Sequence, residues 1–382
     1  WSALRKGLVE NNSAGMPGFV RVLEGLLKRG HTVNLIITHD IDTNIIEFSK
    51  KYKGCNILFF SWRKKGCLRF SSPLRLYFYI KNILAMEKYD FVYGHGTIGS
   101  IASLAANKYE IANGQRLYGT SFLYNNLRRK GLLKFIINHS LYFLSFKVKK
   151  KFLIATDDGS RSDDLFQDLT SGNVSYKFFH WQSGFDKKKW LEPNLANDHF
   201  RLFYPGSFRR KKQQLIALKV IVLLKKMGLD NIKLYFSGPI TEPNYYQKCE
   251  KFAIDANINY NVEHIGYLSK EQMSEFFINS HCVLSFQEIS NRSNCCLETL
   301  SHGGLLVVRN DGSLSDLVED NVTGILVDTV DNMASRIKEL LIHPKQQLVI
   351  RHNAIEKINK SILSWTERVS KEIDLIESSY LG

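Results

Sequence analysis

HCVLSFQEISNRSNCCLETLSHGGLLVVRND, residues 281–311, is the stretch that decides how this chain folds. It opens on a short apolar run, HCVLSFQ, that reads as a buried strand. A loop of small polar residues follows, then NCCLETLSHG with the pattern of a short helix, then Gly303-Gly304 and a second apolar run, GLLVVRND. A strand, a helix and a strand joined this tightly predict parallel pairing within an α/β sheet. Glu298 sits inside the apolar CLETL, about one turn into the helix. It belongs either to the wet face of a surface helix or to a ligand.

Reading outward, the same alternation fills the second half. HFRLFYPG is a strand ending at Gly206, and KKQQLIALKVIVLLKKMG a helix with a basic start and a stop at Gly228. NIKLYFSGP, NVEHIGY and the end of GSLSDLVEDNVTGILVD are further strands. YYQKCEKFAIDAN is helical, and SKEQMSEFFINS is helical behind a serine cap. The first half repeats the theme less cleanly. FVRVLEGLLKRGH is an amphipathic helix; TVNLIITHD, NILFFSW, YDFVYGHG, QRLYGTSF and KKFLIATDD are strands; IGSIASLAANKYEIA and GLLKFIINHSLYFLSFKVKKK are helical. The expected fold class is therefore α/β, two tandem Rossmann-like domains with helices on both faces of parallel sheets. The expected boundaries are 1–190 and 191–362, meeting near DKKKWLEPNLAND, with a C-terminal helix in 363–382 returning to the first domain.

The 382 residues are too many for one ordinary core. Cys55, Cys67, Cys249, Cys282, Cys295 and Cys296 form no C-x-x-C and no zinc spacing, so reduced thiols in a cytoplasmic compartment are the simplest account. The start shows no basic segment followed by an apolar run and a cleavage site, and no stretch is apolar enough to span a bilayer. Residues 1–195 hold 30 Lys+Arg and 15 Asp+Glu, while residues 196–382 hold 22 of each, so the first half carries the whole net charge of +15. That half is expected to face an anionic partner.

Ligands of open α/β sheets bind at the carboxyl ends of the strands. In the second half those ends collect Gly206, Gly238, Gly266 and Tyr267, the polar loop before Asn294, and the run Arg209, Arg210, Lys211 and Lys212. Backbone N–H groups at Asn294, Cys295 and Cys296 would open a helix there, and with the cations they suit a diphosphate. Glu298 would then accept hydrogen bonds from ribose hydroxyls. In the first half, Gly15 and Gly18 in NNSAGMPGF permit a close backbone approach to a ligand. His95 ends a strand between two glycines and is a catalytic candidate. The vicinal Cys295 and Cys296 read as packing residues.

Two Rossmann-like halves with LETLSHGG followed by LVVRNDGSLSDLVEDNVTGILV resemble the retaining glycosyltransferases of the GT-B architecture, specifically glycosyltransferase family 4. RLYGTSF, LKRGHTVNLIIT and HWQSGFDKKKW fit its first-domain and linker patterns. The resemblance implies two domains across a cleft, a nucleotide-diphospho-sugar donor, a glycan or lipid-linked acceptor, and no metal or cofactor. It gives Glu298 the place of the family's second glutamate. The place of the first glutamate, which touches the transferred sugar, falls on Ser290, with Glu288 the nearest carboxylate. Ser207 stands where the family has an arginine ahead of Lys212, and Tyr118-Gly119 where it has His-Gly. The implied activity is a hexosyl- or N-acetylhexosaminyl-type transfer in bacterial-type surface polysaccharide synthesis. The rivals are a sugar-nucleotide epimerase of the same fold and a catalytically degenerate binding subunit.

The cations of the first half sit among aromatics. Arg63, Lys64, Lys65, Arg69, Arg75 and Lys81 interleave with Trp62, Phe70, Tyr77 and Tyr79, and a second cluster brackets Phe135–Phe146. This pattern predicts a peripheral association with the inner face of an anionic membrane rather than with nucleic acid, for which no motif is present.

Overall fold

The structure is a computed structural model that describes residues 17–38, 54–62, 71–120, 123–196 and 199–381. The described residues form two compact units. One takes in the chain up to Asp157, Arg161–Gly184 and the C-terminal segment from Ser364; the other takes in Asp158–Ser160 and Phe185–Leu363. The division thus falls after Gly184 rather than after residue 190. Phe185 is buried in the second unit's core with Leu297, Leu300 and Leu317, whereas a side chain on Gly184 would meet Trp365 of the first unit at 2.8 Å.

In the first unit, β1 (Val33–Thr38) and β2 (Cys55–Phe60) pair in parallel, and β3 (Phe91–His95), β4 (Ala112–Leu117), β5 (Phe152–Asp157) and β6 (Lys177–Gln182) form a four-stranded parallel sheet in sequence order. The helix Pro17–Lys28 buries Phe19, Val20 and Leu23 on Ile37 and Cys55. The segment read as one helix after Gly131 is two, Leu123–Asn138 and Ser140–Lys147, and the first of them breaks at Gly131, where φ is 77°. That backbone is open to glycine and strained for other residues.

The second unit holds β7 (Phe200–Pro205), β8 (Ile232–Ser237), β9 (Val262–His264), β10 (Cys282–Ser285), β11 (Leu306–Arg309) and β12 (Ile325–Val327) in the order β12-β11-β10-β7-β8-β9. Every pairing is parallel. This is the doubly wound order of a dinucleotide-binding sheet, with β7 and β10 side by side at the point where the winding reverses. Helices cover both faces, so β10 is buried along its whole length. One core packs Leu202, Leu234 and Phe236 on Val220, Ile221 and Leu224 of the helix Gln214–Lys226. The serine-capped helix is present as Lys270–Asn279, with a full capping box between Ser269 and Gln272.

Candidate active site

The carboxyl ends of β7, β8 and β9 finish in glycines with φ of 130° at Gly206, 109° at Gly238 and 70° at Gly266. The Gly206 N–H donates to the Ser237 carbonyl at 3.0 Å, and the Gly238 N–H to the Gly266 carbonyl at 2.6 Å. A Cβ on Gly238 would lie 2.8 Å from the Gly206 carbonyl. The strand ends are therefore joined backbone to backbone, with His264 Nε2 2.8 Å from the Gly238 carbonyl and the Lys212 side chain against Gly206. Tyr267, 62% exposed, and Ile240, 39% exposed, flank this glycine step.

The cation run is not the start of a helix. Arg210–Lys212 forms a 3-10 turn closed by Gln213 in the left-handed region at φ 58°, and the helix begins at Gln214. This geometry separates the four charges. Arg209, Arg210 and Lys211 are exposed, while Lys212 is turned inward and 9% exposed. Its Nζ donates to Gln287 Oε1 at 2.8 Å, which ties the loop after β7 to the loop after β10. Tyr204, fully buried, joins the same loops: its hydroxyl donates to the Lys212 carbonyl and accepts from the Phe286 N–H at 3.0 Å. Burial lowers the Lys212 pKa. A desolvated ammonium at the switch point is a stronger partner for an anion than the three exposed cations.

The loop between β10 and the next helix is organised by Asn291, which is wholly buried. Its side-chain oxygen accepts from the Ser285 hydroxyl at 3.1 Å and the Gln287 N–H at 3.2 Å, and its Nδ2 donates to Asp311 at 2.8 Å. The Asn291 N–H donates to Ser313 Oγ at 2.9 Å. Ser290 is drawn into this scaffold, since its hydroxyl donates to the Asp158 carbonyl and accepts from the Arg292 N–H at 3.2 Å. Arg292 pairs with Asp316. Glu288 has its backbone fixed, its N–H on the Lys211 carbonyl at 3.0 Å and its carbonyl under Arg309 Nη2 at 2.6 Å, but its side chain is exposed.

The helix Asn294–Ser301 follows, with Ser293 as N-cap. As its first two residues, Asn294 and Cys295 have N–H groups with no carbonyl four residues back inside the helix. Cys296 is buried, and burial pushes the Cys295 thiol up to about 12, so both sulfurs stay protonated and act as packing. Lys212 lies close enough to both to feel them electrostatically. Glu298 is accessible to water yet walled in by protein: desolvation, aided by Asp186 and opposed by Lys270 and Lys188, pushes its carboxyl up to about 7.

The candidates of the first half lie in the other unit. Gly15 falls outside the described residues, as do Arg63, Lys64, Lys65 and Arg69. Gly18 belongs to the helix Pro17–Lys28, not to a loop, and a Cβ there would meet the Arg116 guanidinium at 2.9 Å. His95 ends β3, its Nδ1 2.7 Å from the Tyr118 hydroxyl and its ring edge-on to Phe19 and Tyr93. Desolvation drives its pKa down to about 3, so the imidazole is neutral at physiological pH. Beneath it lies a cluster the sequence reading missed. Glu372 of the C-terminal helix Trp365–Ser378 is wholly buried and accepts from Arg116 at 3.0 Å, Arg368 at 2.7 Å and the Tyr93 hydroxyl at 2.6 Å. An arginine inside the strand NGQRL and an Arg-x-x-x-Glu on an apolar helix face were the available signals.

Residues 186–357 match the model of the family glycosyl transferases group 1. No curated protein matches the chain by sequence. Among solved structures, a glycosyltransferase from Rickettsia africae is similar at a TM-score of 0.70 with 15% identity, over 95% of this chain and 94% of that one. HepE from Anabaena, solved in complex with UDP and glucose, is similar at 0.69 with 14% identity, over 96% of this chain and 97% of that one. WaaG, a glycosyltransferase involved in lipopolysaccharide biosynthesis, is similar at 0.66 with 14% identity, over 94% and 95%. With two parallel-sheet units, the second wound in dinucleotide-binding order, this chain has the GT-B fold, and its residues 186–357 are similar to the glycosyl transferases group 1 family.

Proposed function

We propose that the protein moves a sugar, with retention of anomeric configuration, from a nucleotide-diphospho-sugar to a glycan or lipid-linked glycan acceptor in surface-polysaccharide synthesis. The observation that carries this reading is the setting of Lys212. It is a desolvated cation at the switch point, beside bare glycine backbone and close to the start of a helix. The family match, the UDP and glucose in HepE and the role of WaaG support the same reading.

In this mechanism the bond between the anomeric carbon and the diphosphate oxygen breaks, and negative charge gathers on the leaving diphosphate. Lys212 Nζ and the Asn294 and Cys295 N–H groups stabilise that charge from fixed positions. The acceptor hydroxyl attacks the same face, and its proton passes to the departing phosphate oxygen. Glu298 accepts the ribose hydroxyls, and Tyr267 offers a flat apolar face to the base. With Ser290 committed to the Asp158 carbonyl, Glu288 is the carboxylate left to contact the sugar.

Glu298 supplies the test. Its raised pKa means that below about pH 7 the carboxyl keeps a proton and loses acceptor capacity. Binding of a nucleoside diphosphate should tighten about tenfold between pH 6 and pH 8, beyond the change that the Glu298→Gln protein shows. The same shift predicts a stability effect. Between its ordinary value of 4.5 and about 7 the folded protein holds a proton that the unfolded chain has lost, so stability falls as pH rises through that window. Glu298→Gln should abolish that fall. Calorimetric titration with UDP, GDP and ADP measures the first effect and thermal melts the second. Identical pH profiles for the two proteins would remove Glu298 from the site. Release of nucleoside diphosphate only when an acceptor is added distinguishes transfer from a binding subunit or an epimerase.

A further inference from the structure

After Gly131, at φ 77° and ψ 165°, the rest of the helix Leu123–Asn138 is anchored to the first unit through Phe135, 1% exposed. On the side away from Phe135 lie Leu133 and Ile137, one turn apart and 73% and 70% exposed, with Leu132 at 51% beside them. A surface helix should carry polar residues on that face. Arg129 and Lys130 precede the break and Lys134 follows it, all three exposed. Lys130 stands close enough to His139 to help lower its pKa, after desolvation, and along the chain the cations at 129, 130 and 134 bracket the apolar residues 132 and 133. Lys147 and Lys149 at the end of the helix Ser140–Lys147 are exposed as well. Between Glu110 and Asp157 the sequence has no Asp or Glu. Arg128 pairs with Asp168 at 3.1 Å and is left out.

We infer that this patch, Arg129–Ile137, is a docking surface for an anionic lipid bilayer. Three apolar side chains are too few for a stable protein interface, which buries some 800 Å² on each side. They suit insertion among lipid head groups, with the flanking cations on lipid phosphates. The expected association with an anionic surface is thereby assigned to described residues; Arg63, Lys64 and Lys65 lie outside them. It stands apart from sugar transfer, since docking needs no donor. No helix among the described residues is long and apolar enough to cross a membrane, so the contact is one of surface and tips.

The full chain is sedimented with phosphatidylglycerol-containing vesicles and with pure phosphatidylcholine vesicles, without nucleotide. It should partition onto the anionic vesicles and far less onto the neutral ones. Lys130→Gln with Lys134→Gln should weaken binding about 25-fold, roughly fivefold per cation. Leu133→Gln with Ile137→Gln should weaken it about tenfold and remove whatever binding resists high salt. Both variants change exposed positions, so circular dichroism and nucleoside-diphosphate affinity should match the parent. The inference falls if the parent protein ignores anionic vesicles or if the paired variants bind as the parent does. It also falls if a short RNA binds the patch in their place, or if Leu133→Gln with Ile137→Gln dissolves a dimer seen by sedimentation velocity. Vesicle binding that persists while the Glu298 titration fails would sink the transferase reading and leave this one standing.

Discussion

Lys212→Met is expected to lower the rate of sugar transfer about 100- to 1,000-fold while the protein stays folded. The size follows from removing one preorganised, desolvated donor from a developing oxyanion. The fold should survive because, among the described residues, the Lys212 ammonium hydrogen-bonds Gln287 alone, whereas the loop is held by Tyr204 through the Lys212 backbone. The companion experiment replaces Arg209, Arg210 and Lys211 with Gln. Those side chains are exposed, and screening leaves them a modest influence on an anionic donor. The triple variant should lose about fivefold at low salt and little at high salt. Steady-state kinetics on both proteins at two ionic strengths decides the matter. Equal losses would mean that the basic run acts through bulk charge and that Lys212 has no special place.

The second large effect is on stability. Glu372→Ala should destabilise the first unit by about 3–5 kcal/mol, because it leaves Arg116 and Arg368 buried with no counter-charge. Neither guanidinium can escape by deprotonation at neutral pH. Burial alone would raise the Glu372 carboxyl, but Arg116, Arg368 and the Tyr93 hydroxyl hold it below its ordinary value. Its contribution is therefore complete above the unfolded-state carboxyl range and is lost as pH falls through the depressed folded value. Chemical denaturation with hydrogen exchange should show the loss in β3, β4 and the Trp365–Ser378 helix and spare the second unit. Replacing Arg116, Arg368 and Glu372 together with Met, Leu and Met should recover most of the stability, since no charge is then stranded. If Glu372→Ala melts like the parent, the cluster is solvated and the argument from burial fails.

Much of this architecture was legible from local pattern. Short apolar runs ending in Gly206, Gly238 and Gly266 named the strand ends, because their positive φ admits little besides glycine. The placement of Glu298 followed the same way, one turn into a helix that opens after a polar loop. The cation run was legible as charge but not as geometry. Four consecutive cations look alike in sequence, and only the 3-10 turn and the left-handed Gln213 turn Lys212 inward and leave the other three in water.

What only the tertiary structure decided has one physical cause, contact between residues far apart in the chain. Periodicity reports on neighbours within a turn or a pleat; it says nothing of which strand lies beside which. The adjacency of β7 and β10 brings the loops that follow them together, and it is set by the packing of helices on both faces of the sheet. Ser290 stands where a sugar-binding glutamate was expected. Its role as a loop anchor depends on Asp158, 132 residues earlier. Arg116 and Glu372 meet across 256 residues, and neither tells from its own surroundings in sequence that burial will pair it. The sequence by itself determined two α/β halves, their strand ends and the confinement of the net charge to the first half; the order of the strands, and with it which polar groups are dry, was decided by the folded packing.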